Sequence, residues 1–158
     1  MSENMDRDMC VCLAKIAEEA ESYEDAAHYM KHAVETDAEL NCLERILLET
    51  AYKHIVGARR ATLQKIYEIE EVAKDMSNHS AADFIHQHKL PIVSELRAKC
   101  KEALAILDHC LERAAHVSSD PGEAKVYYLQ LISDFYLYLA EFTTGTEKKE
   151  CTEASEVT

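Results

Sequence analysis

The chain has 158 residues, a length that fits one domain. Its 17 Lys and Arg against 30 Asp and Glu leave a formal net charge of −13, a field that repels nucleic-acid phosphate and anionic membrane surfaces. Apolar residues at 47% suffice for a core, while three Gly, two Pro and no Trp leave too little punctuation for most all-β or glycine-rich nucleotide-binding folds.

No apolar run approaches the length of a membrane span. The N-terminus, Met1 to Arg7, is polar and acidic, with no signal-peptide core behind it. Cys10, Cys12, Cys42, Cys100, Cys110 and Cys151 are too sparse and irregular for a disulfide scaffold, so they read as reduced thiols of a cytoplasmic protein.

Apolar residues recur at spacings of three and four, the helical period. The first helix is expected over Asn4 to Glu21, carrying Val11, Leu13, Ile16, Ala17 and Ala20. Ser22 is placed to cap a second helix ending near Thr36, with Asp25 three residues on. Asn41, followed by Glu44, caps a third, from Cys42 to Asp75, whose apolar set is Ile46, Leu47, Tyr52, Ile55, Val56, Leu63, Ile66 and Ile69. Gly57 in its middle suggests a close helix contact. At 1.5 Å per residue this helix is about 50 Å long. One small core does not cover that length, so its far end is expected against another chain or a further part of the protein.

Ser77 to His88 is polar and His-rich and reads as a loop or frayed start. Pro91 suits a first turn, so the fourth helix starts or kinks near Leu90 and runs to about His116 on Ile92, Val93, Leu96, Cys100, Leu104, Leu107 and Leu111. Asp120-Pro121-Gly122-Glu123 offers an N-cap, a first-turn Pro and an acid for a fifth helix, ending near Phe142 before Thr143-Thr144-Gly145. The expectation is an all-α antiparallel bundle of about five helices, one domain over 1–145, with a polar, mobile tail at 146–158.

Charge is uneven along this chain. Ala51 to Lys65 holds Lys53, Arg59, Arg60 and Lys65 and no acid. Lys53 and Arg60 are seven apart, two turns on one helix face, roughly 10 Å along the axis, with Val56 between them. Two long cationic side chains so placed suit a phosphate or carboxylate. The plain alternative is a solvated stripe, or pairing with nearby acids.

Ala51-Tyr52-Lys53-His54-Ile55-Val56-Gly57-Ala58-Arg59-Arg60 resembles the third-helix signature of the 14-3-3 proteins. Lys15-Ile16-Ala17-Glu18 and Tyr23-Glu24-Asp25 resemble the family's first two helices, and Leu43-Glu44-Arg45-Ile46-Leu47-Leu48 leads into the signature. Glu123-Ala124-Lys125-Val126-Tyr127-Tyr128-Leu129 and Tyr138-Leu139-Ala140-Glu141-Phe142 resemble the fifth helix, so the likeness runs over about 15 to 150. It implies a non-enzymatic adaptor, an all-α dimer that binds phosphoserine or phosphothreonine segments of phosphorylated proteins in a groove. It further implies that Lys53 and Arg60 hold the phosphate and that Tyr138 donates its hydroxyl.

Some positions depart from that pattern. The family's second phosphate arginine is Leu137 here, and neighbouring lysines are Gln130 and Ile132. A charge-assisted hydrogen bond contributes about 1.5–3 kcal/mol, so the missing arginine implies roughly 10- to 150-fold weaker phosphate binding. Leu137 and Ile132 also make that wall more apolar. The family has nine helices against five here, which implies a half groove. Dimer-face basic positions read Ser22 and Pro91, while the acids Asp25 and Glu95 remain, and unpaired acids facing each other weaken a homodimer. Its apolar part survives as Ile16, Ala20, Ile66 and Ile69. A heterodimer with an intact relative suffers less, so the competing reading is a dimerisation partner or non-productive decoy.

Other constellations carry less. His28 and His32, four apart, and Cys10 with Cys12 have no fixed metal-ligand geometry, and His86-Gln87-His88 reads as loop, so no metal or cofactor is expected. Asp108-His109-Cys110 are adjacent on a helix and point apart, which excludes a working dyad. Tyr127, Tyr128, Phe135, Tyr136, Tyr138 and Phe142 read as helix packing. Asp134 is placed to orient Arg60 or Lys53 by a salt bridge.

Overall fold

A computed structural model of the chain describes residues 6–117 and 121–142. They form five helices, α1 (Arg7–Glu19), α2 (Tyr23–Thr36), α3 (Cys42–Asp75), α4 (His79–Val117) and α5 (Pro121–Glu141), with no strand among the described residues. The all-α expectation holds. The expected Asp120 cap and the tail at 146–158 lie outside the described residues.

Each helix end follows from local chemistry. α1 begins three residues later than expected because the Asp6 carboxylate accepts from the Met9 N–H at 2.8 Å. It ends at Glu19 with Ala20 as its C-cap, and Glu21 beyond takes a left-handed φ of 56° so that Ser22 N–H reaches Ala17 O at 2.8 Å. Ser22 precedes α2, but its hydroxyl donates to Asp25 Oδ2 at 2.7 Å instead of capping a backbone N–H. Asn41 and Glu44 form the expected reciprocal capping box of α3, at 2.9 and 3.0 Å.

The start of α4 departs from the sequence expectation. Ser77 turns the chain at φ 57°, and the Asn78 side chain accepts from Ala81 N–H at 3.2 Å, so the helix begins at His79 instead of near Leu90. Residues 79–88 are helical because they lie along the far end of α3. Ala82 is buried there, and Lys89 reaches Glu70 Oε2 at 2.8 Å. Pro91 stands inside the helix on an exposed face, where water can satisfy the carbonyl that its missing N–H leaves free.

Successive helices pack pairwise, α1 on α2, α2 on α3, α3 on α4 and α4 on α5. Glu70–Lys89 and Arg59–Glu95 show α3 and α4 running antiparallel, since the numbers fall on one helix as they rise on the other. Lys53–Asp134 and Arg60–Glu141 share one sequence separation, 81, so α3 and α5 run parallel on either side of α4. Met30, Tyr52, Val56, Leu96, Leu107, Tyr128 and Phe135 fill the core. The far end of α3 is thus covered on one flank by the chain's own α4. Its other flank, with Tyr67, Ile69, Val72 and Met76, is exposed.

Ile46 and Ile69 of the α3 apolar set are exposed. One further expectation for α3 is corrected. Gly57 makes no close helix contact, because a Cβ there would meet nothing within 4 Å.

Candidate anion-binding site

α3 presents Lys53, Gly57 and Arg60 along one half-exposed strip, at positions i, i+4 and i+7. Val56, expected between the cations, instead points into the core and is fully buried. α5 runs parallel to this strip, bridged to it by ion pairs, and presents Asp134, Leu137, Tyr138 and Glu141. Below them, where α3, α4 and α5 meet, a crevice is lined by Leu48, Glu49, Tyr52, Ala103, Leu107, Leu131 and Phe135.

Lys53 Nζ donates to Asp134 Oδ2 at 2.9 Å and lies 3.3 Å from Glu49 Oε1. Burial alone would lower its pKa, but these two carboxylates outweigh burial and raise it. Asp134 therefore supports Lys53, not Arg60. Arg60 takes a different acid. Its Nε and Nη2 donate to the two oxygens of Glu141 at 2.8 and 2.6 Å, a bidentate pair that holds its pKa above the usual value. The guanidinium also stacks over the Tyr138 ring, 4.3 Å from its centroid. Tyr127 donates to Glu49, and burial with that carboxylate pushes the phenol pKa up.

The structure thus brings Lys53, Arg60, Tyr138 and Asp134 together as the sequence suggested, and adds three residues that sequence reasoning missed: Glu49, Tyr127 and Glu141. One signal was available. Asp134 and Glu141 are seven apart, the same interval as Lys53 and Arg60. The expected more apolar wall is half present. Leu137 is 47% exposed beside the strip, but Ile132 is buried in the core and lines nothing.

The residues assigned to a dimer face lie elsewhere. Ile16 is 60% and Ile69 58% exposed, Ala20 and Asp25 are exposed, and Ile66 is half-buried. The acids there have partners within the chain. Asp25 accepts from Ser22, and Glu95 pairs with Arg59 at 3.5 Å. Arg59 also reaches Glu24, at 3.4 Å.

His28 and His32 meet ring edge to face at 4.6 Å, and His32 sits 3.4 Å from Glu35. Among the described residues no group of three or more His, Cys, Asp or Glu is arranged to hold a metal. His86 and His88 are helical, not in a loop, and His86 lies 3.8 Å from Glu70. Asp108 and His109 are exposed while Cys110 is buried, so the three do not converge. No helix of the described residues is long and apolar enough to cross a membrane.

Two cations and an aromatic ring thus gather on one half-exposed face of a helical module, a side-chain chemistry suited to acidic groups. The family model for the 14-3-3 proteins matches residues 13–158. The chain is 39% identical over 153 residues to 14-3-3-like protein D of Nicotiana tabacum, covering 96% of this chain and 60% of that one. It is 39% identical over 154 residues to 14-3-3-like protein B of the same plant, covering 96% and 59%. It is 37% identical over 156 residues to 14-3-3-like protein B of Vicia faba, covering 98% and 58%. The chain belongs to the 14-3-3 family, and it spans about 60% of the length of these relatives.

Proposed function

We propose that the chain is a phosphoserine- or phosphothreonine-dependent adaptor, without enzymatic activity, that binds phosphorylated partner proteins through Lys53, Arg60 and Tyr138. Asp134 supports the site by holding Lys53. The observation that carries the reading is the convergence of Lys53 and Arg60 on one accessible strip between α3 and α5, with Tyr138 stacked beneath Arg60. Binding is weakened relative to a site with a further arginine, because Leu137 supplies no charge where α5 faces the strip. The local charge balance acts in the same direction, since two cations face the three carboxylates Glu49, Asp134 and Glu141. The set Ile16, Ala20, Asp25, Ile69 and Glu95, all exposed, with the half-buried Ile66, is the proposed face for a homodimer or a heterodimer with another 14-3-3-like chain.

A phosphopeptide titration tests the reading. A peptide carrying phosphoserine binds, its dephosphorylated form does not, and Arg60→Glu abolishes the difference. Equal affinity for both forms overturns the adaptor assignment. The satisfied state of both cations favours a second reading, in which the chain pairs with an intact relative as a non-productive partner. Co-expression with such a relative, followed by sedimentation, decides it. A mixed dimer without phosphopeptide binding supports the decoy, and the absence of any mixed dimer removes it.

A further inference from the structure

The two ion pairs between α3 and α5 are not equivalent. Lys53 is a point charge shared between Glu49 and Asp134, with donor directions left over. Arg60 commits its Nε–Nη2 edge to both oxygens of Glu141, the same edge and geometry in which a guanidinium grips two phosphate oxygens. One flat face of the guanidinium is also taken by Tyr138.

Glu141 is placed to make that contact and to leave it. It is the last residue of α5, where the helix dipole disfavours a negative side chain, and no basic residue stands in that last turn. The position one turn back, where a cation would be its helix-mate, is the uncharged Leu137. Among the described residues its charge partner is Arg60, and both groups remain open to solvent, at 35% and 42% side-chain exposure.

We propose that Glu141 is an internal competing ligand, a carboxylate clasp on the phosphate-gripping edge of Arg60 that an incoming oxyanion must displace. The proposal rests on the adaptor reading and adds to it a rule of selectivity. Exchanging one carboxylate for another gains nothing, so an Asp- or Glu-bearing segment does not open the clasp. A phosphoryl group carries about two charges and three acceptor oxygens, and does.

The test uses one fluorescent peptide sequence with serine, glutamate or phosphoserine at its centre. It is titrated by anisotropy into the full chain, into Glu141→Gln, and into Glu35→Gln as a control that removes the same charge on α2. The full chain is expected to bind only the phosphoserine form. Glu141→Gln binds that form about five- to tenfold tighter and gains measurable affinity for the glutamate form, while Glu35→Gln matches the full chain. Binding by Glu141→Gln alone, with the full chain silent, supports the clasp as well. Unchanged affinity in Glu141→Gln, or equal tightening in Glu35→Gln, overturns the clasp and leaves the adaptor reading standing. Failure of every variant to prefer phosphoserine overturns both.

Discussion

Gly57 separates Lys53 from Arg60 on the open strip, and none of the described residues occupies the space a side chain would fill. In a helix interior Gly is disfavoured relative to Ala by about 1 kcal/mol, through backbone entropy. Gly57→Ala is therefore expected to raise the melting temperature by about 2–4 °C. A fall in a calorimetric or circular-dichroism melt would mean that some contact at Gly57 matters after all. The same residue shows how far single positions could be read. That Lys53 and Arg60 share a face followed from their spacing. Which neighbour shares it did not, because Val56 and Gly57 are both consistent with a helical period and only packing turned Val56 inward.

At the scale of elements, the join between α1 and α3 rests on one buried carboxylate. Glu44 closes the capping box of α3 and receives both arms of Arg7, at 2.9 and 2.7 Å, while Arg7 also donates to the carbonyls of Asp37 and Glu39 in the linker. Burial would raise the Glu44 pKa, but the hydrogen bonds from Arg7 and the Asn41 backbone outweigh it and hold the pKa below the ordinary carboxylate value. A carboxyl depressed in the folded state stabilises the fold above its unfolded pKa, and this stability is lost as the pH falls through the folded value. Glu70, gripped by Lys89 and Lys74, and Glu102, desolvated but held by Lys31 and Lys99, shift the same way. Stability measured by urea denaturation is expected to be level near neutrality and to fall below about pH 5. Arg7→Ala leaves Glu44 buried without its ion partner. It should cost about 3 kcal/mol at pH 7 and flatten the acid limb, and an unaltered denaturation midpoint would refute the clamp. The capping box was legible as Asn41 with Glu44 three residues on. Arg7 was not, because a residue 37 positions away meets Glu44 only after α1 and α3 have docked. The start of α4 is a similar case. Its first turns are polar in sequence and are helical because α3 extends far enough to pack against them.

Across the whole molecule, burial sorts the thiols. Cys10, Cys100 and Cys110 lie in the core, Cys12 and Cys42 on the surface. Burial pushes the Cys100 and Cys110 thiols up to about 12 and raises Cys10 as well, so little thiolate exists at neutral pH. Brief iodoacetamide treatment of the folded chain is expected to label Cys12 and Cys42 and to spare Cys10, Cys100 and Cys110, with all six cysteines of the sequence labelled in denaturant. Peptide mapping that finds Cys100 or Cys110 labelled under native conditions would mean that the α4–α5 core opens readily. Read alone, the sequence determined the helical class, the borders of α2 and α3, the family and the pair of cations, because the signals for these are local: period, capping residues and a contiguous motif. Only the tertiary structure decided that Lys53 and Arg60 each face a carboxylate of α5 and that the far half of α3 is covered by α4. Those outcomes depend on the parallel register of α3 and α5 and on the packing of long helices, which join residues too distant in sequence for any local pattern to relate them.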